Sequence, residues 1–185
     1  MFDKEQIYSK NYGNNRIFKA EVMNILGAPV DAIVNPANSG LSHGGGLAAI
    51  ISKEAGPKLD DQCDRIVEKL GRIPVTLGVP TNAYNLPYKG IIHSVGPRMG
   101  DGDEQAKLEK TITNTLLIAE KQKWYSVAFP AISTGIFGVP KQICAEAFKS
   151  AIPSYWDNNA DSKVCFVLLC LTIDDFEEFY KVLSR

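Results

Sequence analysis

The stretch that decides the fold is Asp31-Ala-Ile-Val-Asn-Pro-Ala-Asn-Ser-Gly-Leu-Ser-His-Gly-Gly-Gly-Leu47. It begins with a short apolar run, which predicts a strand over residues 30–34 that ends at Asn35–Pro36. Glycines and small polar residues then form a loop, and a helical pattern starts at Leu47. A second stretch, Ser126-Val-Ala-Phe-Pro-Ala-Ile-Ser-Thr-Gly-Ile-Phe-Gly138, repeats the order of apolar run and Gly-rich loop. Two such strand–loop–helix units are typical of α/β folds.

The rest of the chain continues this alternation of strands and helices. Short apolar runs predict strands over 16–25, 30–34, 75–79, 90–95, 126–132 and 163–171. Helical periodicity predicts helices over 47–55, 58–70, 103–123, 141–152 and 174–183. We therefore expect an α/β fold, a three-layer α/β/α sandwich around a central mixed, largely parallel sheet. Residues 1–185 are expected to form a single domain, with residues 1–14 as a peripheral N-terminal extension.

The composition restricts the class of protein. The chain has 185 residues, of which 45% are hydrophobic and 22% charged, and its formal net charge is −1. These values are typical of a globular domain and argue against a general nucleic-acid or membrane-surface binder, which carries a basic excess. No apolar run reaches the roughly 20 residues of a membrane span. We expect a monomer in the cytoplasm or nucleus, without a membrane partner and without direct sequence-specific nucleic-acid binding.

The cysteines and histidines do not predict a metal site. The four cysteines are Cys63, Cys144, Cys165 and Cys170. No two of them form a Cys-x-x-Cys pair, and only His43 and His93 accompany them, which is a poor set of zinc ligands. We interpret the thiols as reduced and packed, as in an intracellular protein, and expect no metal and no cofactor. A structural role is favoured for His43, and His93 is expected to be a core or edge histidine of a strand.

The two Gly-rich loops have the composition of an anion site built from backbone amides. Adjacent glycines let the backbone approach a ligand closely, and free amides at a helix N-terminus favour phosphate. Neither loop contains lysine, arginine, aspartate or glutamate, so the phosphate loop of NTP-hydrolysing proteins is absent. The pattern favours recognition of a diphosphate over phosphoryl transfer. The alternative is that these glycines only make tight turns between strands and helices.

Four motifs resemble those of the macro domain family. They are Asp31-Ala-Ile-Val-Asn-Pro-Ala-Asn-Ser39, His43-Gly-Gly-Gly-Leu-Ala-Ala-Ile50, Ile92-His-Ser-Val-Gly-Pro-Arg98 and Ala128-Phe-Pro-Ala-Ile-Ser-Thr-Gly-Ile-Phe-Gly-Val-Pro140. Their order and spacing match the family, and the resemblance runs from about Ile17 to Leu183. The chain is most similar to the macro domains of poly-ADP-ribose-polymerase-type proteins, followed by viral macro domains. The resemblance implies the macro domain fold and binding of ADP-ribose and of mono-ADP-ribosylated proteins.

The resemblance also implies roles for individual residues. Asn38 would bind the distal ribose hydroxyls, and the Phe137 ring would lie against that ribose. The amides that would contact the distal ribose and the diphosphate belong to Gly44, Gly45, Gly46, Leu47, Ser133, Thr134, Gly135, Ile136 and Phe137. Core packing is the alternative role for Phe137.

Three positions depart from the family pattern. Many members have Gly-Asp where this chain has Ala20-Glu21, so adenine would meet Glu21 and Val22, or Glu21 would be a surface carboxylate. Many members also place an aromatic residue under adenine after the last strand, where Leu171 gives only aliphatic packing. One hydrolase subfamily has an aspartate two residues after the triple glycine, and this chain has Ala48.

Three functions are compatible with this resemblance. The favoured hypothesis is a protein mono-ADP-ribosyl hydrolase that cleaves the ester on Asp or Glu side chains, with Asn38, Gly46 and Phe137 as catalytic residues. These would fix the ribose and shape the pocket around a water that attacks the anomeric carbon, without a strong protein base. The second hypothesis is a non-catalytic reader of ADP-ribosylated proteins. The third is binding or turnover of a free derivative such as O-acetyl-ADP-ribose.

Overall fold

The computed structural model describes residues 6–185, which form one seven-stranded sheet and five α-helices. The strands are β1 (Ile7–Asn11), β2 (Ile17–Val22), β3 (Ala32–Ala37), β4 (Gly78–Thr81), β5 (Gly90–Val95), β6 (Ser126–Phe129) and β7 (Phe166–Leu171). The helices are α1 (Gly46–Ala55), α2 (Pro57–Leu70), α3 (Glu104–Gln122), α4 (Lys141–Asn158) and α5 (Ile173–Leu183). A short 3-10 helix, Ile25–Gly27, follows β2. No helix in this described part is long and apolar enough to cross a membrane.

The sheet is mixed and largely parallel, as predicted. Its strand order is β1-β2-β7-β6-β3-β5-β4. Strands β2, β7, β6, β3 and β5 pair in parallel, whereas β1 and β4 pair antiparallel at the two edges. The central strands carry apolar side chains on both faces because helices cover both sides of the sheet.

The two faces of the sheet pack against different helices. On one face, Val34 of β3 joins a core with α3, α4 and α5. On the other face, the neighbouring Ile33 packs in a core with α1 and α2, including Ile51 and Leu59. Successive side chains of a strand point to opposite faces, so β3 contributes to both cores. The chain therefore forms the predicted α/β/α sandwich.

The described part of the N-terminal segment forms an edge strand of the sheet. Residues expected to be peripheral form β1, which pairs with β2 in a register running from Ile7 opposite Glu21 to Asn11 opposite Ile17. Gly13, with φ of +81°, lies in the turn between the two strands. Residues 1–5 of the expected extension lie outside the described residues. Strand β1 is thus the outer edge of the sheet.

Two prolines do not end the elements that the sequence predicted them to end. Strand β3 was expected to stop at Asn35–Pro36, but it continues to Ala37. Its pairing with β6 stops at Ile33, so Pro36 lies where β3 has a hydrogen-bonded neighbour only in β5 and the missing N–H is tolerated. Pro80 similarly lies within the edge strand β4.

Helix α4 continues past Pro153 to Asn158, whereas the sequence predicted its end at Ile152. A proline inside a helix removes a hydrogen bond and costs roughly 3 kcal/mol or more. The last turn nevertheless buries Tyr155 and Trp156, and the Trp156 indole donates a hydrogen bond of 2.7 Å to the Val164 carbonyl. Burial of two large aromatic side chains offsets the cost of the proline.

Candidate functional site

A cavity of about 650 Å³ opens at the carboxyl edge of the parallel strands. The segments that follow β2, β3, β5, β6 and β7 all contribute to its lining. Parallel strands bring their carboxyl ends to one edge of a sheet, and this is where ligands of open α/β sheets bind. The volume lies within the range of about 300–1,000 Å³ that is usual for small-molecule sites.

The first loop, residues 38–45, is held by its own asparagine and opens helix α1. Asn38 Oδ1 accepts hydrogen bonds of 3.1 Å from the amides of Gly40 and Ser42, and Asn38 Nδ2 donates one of 2.9 Å to the Ser42 carbonyl. The N-cap residue Gly45 makes no side-chain cap, so the first amides of α1 have no side-chain partner there. Gly46, the first helical residue, has φ of +58°. The loop thus points a positive helix end into the cavity.

The second loop, residues 133–138, closes the opposite side of the cavity. Thr134 Oγ1 donates a hydrogen bond of 2.8 Å to the Ala131 carbonyl, and Ser133 has φ of +68°. The side chain of Ile136 is 84% exposed and extends toward the first loop. A Cβ atom placed on Gly45 would lie 3.4 Å from Ile136 Cδ1. The two Gly-rich loops therefore approach each other across the cavity.

Few charged side chains reach the cavity. Among the described residues that line it, Arg98 is the one cation, and its guanidinium lies 4.7 Å from the centroid of the Phe137 ring. Asp175 is the one carboxylate in the lining, and it forms an ion pair of 2.5 Å with Lys141. Ala48, at the position of interest for a catalytic base, also lines the cavity and offers none. Within the described residues, the cavity lining thus holds one carboxylate, which is paired with a lysine.

The structure brings together most of the residues that the sequence assigned to the site. The cavity is lined by Asn38, Gly44, Gly45, Gly46, Leu47, Ser133, Thr134, Gly135, Ile136, Phe137 and Leu171. Glu21 and Val22 are not in the lining. The Glu21 carboxylate instead forms an ion pair of 2.7 Å with Lys19, on strand β2, and Val22 packs against the core.

Three residues that follow strand β2 line the cavity and were not predicted from the sequence. Strand β2 ends at Val22 rather than at residue 25, and Met23, Asn24 and Ile25 then turn into the cavity lining. Asn24 is the N-cap of the short 3-10 helix, and its Oδ1 accepts a hydrogen bond of 3.0 Å from the Leu26 amide. An asparagine ahead of an apolar turn was the signal, since it is a preferred N-cap residue.

The two histidines lie outside the cavity lining. His93 of β5 is fully buried, and burial lowers the pKa of His93 to about 3, with a smaller contribution from His43. Its ring is therefore neutral. His43 of the first loop contacts the Asp60 carboxylate of α2 through Nδ1 at 2.8 Å.

Comparisons with known proteins agree with this geometry. The family model described as "Macro domain" matches residues 34–148, more than half of the chain. The human protein mono-ADP-ribosyltransferase PARP14 is 45% identical over 128 residues, 67% of this chain. The O-acetyl-ADP-ribose deacetylase of Escherichia fergusonii is 39% identical over 133 residues, which cover 71% of this chain and 75% of that enzyme. The chain spans only 26% of a Thermotoga maritima relative and 7% of PARP14.

A solved structure has the same fold over nearly the whole chain. The Oceanobacillus iheyensis macrodomain, solved with ADP, superposes with a TM-score of 0.88 at 28% identity. The superposition covers 96% of this chain and 95% of that one. By the family model, the sequence relatives and the fold, the chain belongs to the macro domain family.

Proposed function

We propose that the cavity binds ADP-ribose, both free and attached to protein. The observation that carries this proposal is the pair of Gly-rich loops, which face each other across one cavity and contain no lysine, arginine, aspartate or glutamate. Backbone amides and the N-terminus of α1 would bind the diphosphate between the loops. The structural relative that was solved with ADP supports a ligand that contains a nucleoside diphosphate.

The two ends of the cavity would bind the two ends of the ligand. Asn38 and Phe137 would contact the distal ribose, with Gly46 at the start of α1 next to it. Adenine would lie at the other end, against the aliphatic Leu171 and near Asn24. Glu21 and Val22 lie outside the lining, so we assign the polar contact with adenine to the Asn24 amide instead of the Glu21 carboxylate.

We further propose that the protein hydrolyses the ester between ADP-ribose and an Asp or Glu side chain. The oxygen of a bound water would form a bond to the anomeric carbon of the distal ribose, while the bond from that carbon to the carboxylate oxygen breaks. The target side chain leaves as a carboxylate, and the proton of the water passes to a phosphate oxygen of the ligand. Asp175, the one carboxylate in the lining among residues 6–185, is paired with Lys141, so we propose that positioning replaces a protein base.

A second candidate function is deacetylation of free O-acetyl-ADP-ribose. The specific observation in its favour is the 39% identity to the O-acetyl-ADP-ribose deacetylase of Escherichia fergusonii, over most of both chains. The same cavity would serve both substrates because they share ADP-ribose and differ only in the acyl group on the distal ribose.

The test is a time course with two substrates, a protein mono-ADP-ribosylated at glutamate and O-acetyl-ADP-ribose. We expect the parent to release ADP-ribose from the protein and Asn38→Ala to be slower by about a hundredfold. Asn158→Ala, an exposed asparagine at the end of α4, is the matched control and should retain full activity. Turnover of O-acetyl-ADP-ribose alone would favour the second candidate. Retention of both substrates, with the modified protein still bound, would make the protein a reader.

A further inference from the structure

A cluster of potential metal ligands lies behind the first loop. Its members are His43 of the first loop, Cys63 of α2 and His93 of β5, and we call it the His-Cys cluster. One ring nitrogen of each histidine and the Cys63 sulfur all lie within 4.8 Å of one another. The His43 side chain is 6% exposed, Cys63 is 1% exposed and His93 is fully buried. Three soft or borderline donors from three separate elements therefore converge in the interior.

Both imidazoles are held through Nδ1. His43 Nδ1 lies 2.8 Å from Asp60 Oδ1, and the same oxygen accepts a hydrogen bond of 2.7 Å from Ser52. His93 Nδ1 lies 2.9 Å from the Asn35 side-chain amide. Histidines that bind metals usually donate the N–H of one ring nitrogen to an acceptor such as a carboxylate, which orients the other nitrogen toward the ion, and the contact of His43 with Asp60 has this form.

The second ring nitrogens, the Nε2 atoms, differ in their partners. His43 Nε2 is buried and has no hydrogen-bond partner among residues 6–185. His93 Nε2 lies 3.9 Å from Cys63 Sγ and 2.9 Å from Thr81 Oγ1, while the Thr81 hydroxyl donates to the Asn82 carbonyl at 3.1 Å. A buried ring nitrogen without a partner is costly unless something else binds it.

The tautomer of His93 can suit a metal because of its neighbour Asn35. An amide side chain offers either a donor or an acceptor to Nδ1, depending on its orientation. With the amide nitrogen toward the ring, Asn35 Oδ1 is buried without a partner in the described residues. With the amide oxygen toward the ring, Nδ1 carries the proton. The lone pair of Nε2 then faces Cys63 Sγ at 3.9 Å and the Thr81 hydroxyl at 2.9 Å, and a bound ion would replace that hydroxyl as its partner.

The charges around the cluster also suit a cation. The carboxylates of Asp60 and Asp64 lie close enough to Cys63 to act on its charge, and they would attract a bound divalent cation.

We propose that Cys63 Sγ, His43 Nε2 and His93 Nε2 bind one thiophilic divalent cation such as Zn²⁺. Cys63 loses its proton to solvent on binding, its sulfur forms the bond to the ion, and no oxidation or reduction takes place. Cysteine sulfur and imidazole nitrogen are the donors that Zn²⁺ prefers. The ion ties the first loop to helix α2 and strand β5, and so it stabilises the loop whose amides open onto the cavity.

Cobalt provides the test because thiolate-bound Co²⁺ has a ligand-to-metal charge-transfer band. When Co²⁺ is added to metal-free protein, the absorbance of this band should rise until one equivalent of Co²⁺ is bound, and Zn²⁺ should then remove the band. Cys63→Ala should abolish the band. Cys165→Ala, which removes a half-buried thiol outside the His-Cys cluster that donates a hydrogen bond to the Tyr125 carbonyl, should leave it unchanged. Absence of the band in the parent, or its survival in Cys63→Ala, would overturn the proposal.

Two further variants keep the test informative if Cys63→Ala fails to fold. His43→Gln changes a residue of a loop, and it should also lose the bound ion while its circular dichroism matches that of the parent. Asp60→Asn should keep the charge-transfer band but weaken Co²⁺ affinity by about tenfold to a hundredfold, because Asp60 acts only through His43. Unchanged Co²⁺ affinity in both variants would contradict the assigned ligands. None of these readouts depends on ADP-ribose.

Discussion

The two ends of the cavity are built differently. At the loop end, the proposed diphosphate and distal-ribose site consists of backbone from residues 44–47 and 133–137, with the side chains of Asn38 and Phe137. At the adenine end, the lining consists of side chains from the short turn after β2 and from Leu171. The loop end depends on backbone conformation, so it tolerates few residue types. The adenine end depends on side-chain contacts, which vary more easily.

Gly46→Val is expected to have the largest effect because it alters the backbone of the loop end. Gly46 has φ of +58°, and a Cβ atom there would lie 3.9 Å from Ile136 Cδ1. A β-branched residue with left-handed backbone costs about 2 kcal/mol, and relief of this strain would move the first amides of α1. We expect ADP-ribose affinity, measured by isothermal titration calorimetry, to fall by about thirtyfold.

Gly71→Val is the matched control for this prediction. Gly71 follows α2 with φ of +76°, and its Cβ would meet nothing within 4 Å. The substitution should lower thermal stability by at least the backbone cost assigned to Gly46→Val, because ψ of −169° places Gly71 in a region almost restricted to glycine, while ADP-ribose affinity stays at the parent value. Equal affinity losses in both variants would mean that the effect of Gly46→Val is general destabilisation and not a change at the loop end.

Asn24→Ala tests the adenine end. A single neutral hydrogen bond to the ligand is worth about 1 kcal/mol, so we expect the Kd for ADP-ribose to rise by about fivefold. The Kd for ribose 5-phosphate, which lacks adenine, should not change between the parent and this variant. Glu21→Ala is the companion variant, and it should bind ADP-ribose as the parent does because Glu21 is paired with Lys19 outside the lining. A loss in Glu21→Ala without one in Asn24→Ala would reverse our assignment.

The same contrast explains which parts of the site could be predicted from the sequence. The loop end is encoded locally, in glycines that directly follow apolar strands, and all of its predicted residues line the cavity. Asn24 was missed because periodicity alone extended the preceding strand to residue 25, whereas β2 ends at Val22. The position of that end depends on pairing with β7, which stops at Val22 opposite Leu171. The pairing itself leaves no local signal, although Asn24 is a local indication of the turn that follows the strand, since asparagine is a preferred N-cap residue.

Long-range packing also explains the remaining differences between sequence and structure. The mixed, largely parallel sheet and the two helical layers follow from the alternation of patterns and were predicted, whereas the order of the strands in the sheet was not. The continuation of α4 past Pro153 depends on the burial of Tyr155 and Trp156, and local propensity at proline argues against it. The His-Cys cluster was not predicted because its members are far apart in sequence and meet only when α2 and the first loop pack over β5.

Arg98→Ala should have a smaller effect than the changes above. The guanidinium lies over the Phe137 ring, and such a contact at an exposed site is worth about 0.5–1 kcal/mol. We expect the Kd for ADP-ribose to rise by about threefold, because the ring that would contact the distal ribose becomes less ordered. Arg98→Lys should recover part of the loss, since an ammonium also binds an aromatic face. If the rise in Kd caused by Arg98→Ala depended strongly on salt concentration, it would instead indicate a direct ion pair between Arg98 and a phosphate.

The smallest effect on the ligand is expected at the amino end of β3, opposite the cavity. Asp31 accepts a hydrogen bond of 2.7 Å from the Tyr125 amide and forms an ion pair of 2.8 Å with Lys89. Partial burial raises the pKa of the Asp31 carboxyl, but Lys89 and the amides of Tyr125 and Ser126 outweigh it and hold that pKa below its usual value. Asp31→Asn should therefore leave ADP-ribose affinity unchanged and lower Tm by about 3 °C at neutral pH.

The pH dependence of Tm tests whether the ionised Asp31 carboxylate is the group that stabilises the fold. Because the pKa of Asp31 is lower in the folded than in the unfolded protein, its ionised form stabilises the fold above the unfolded value of about 4. That contribution is lost as the pH falls through the folded pKa. The difference in Tm between the parent and Asp31→Asn should accordingly stay constant at roughly pH 6 to 7. It should shrink below about pH 4. A difference that persisted in acid would show that the Asp31 carboxylate is not the source of the stabilisation.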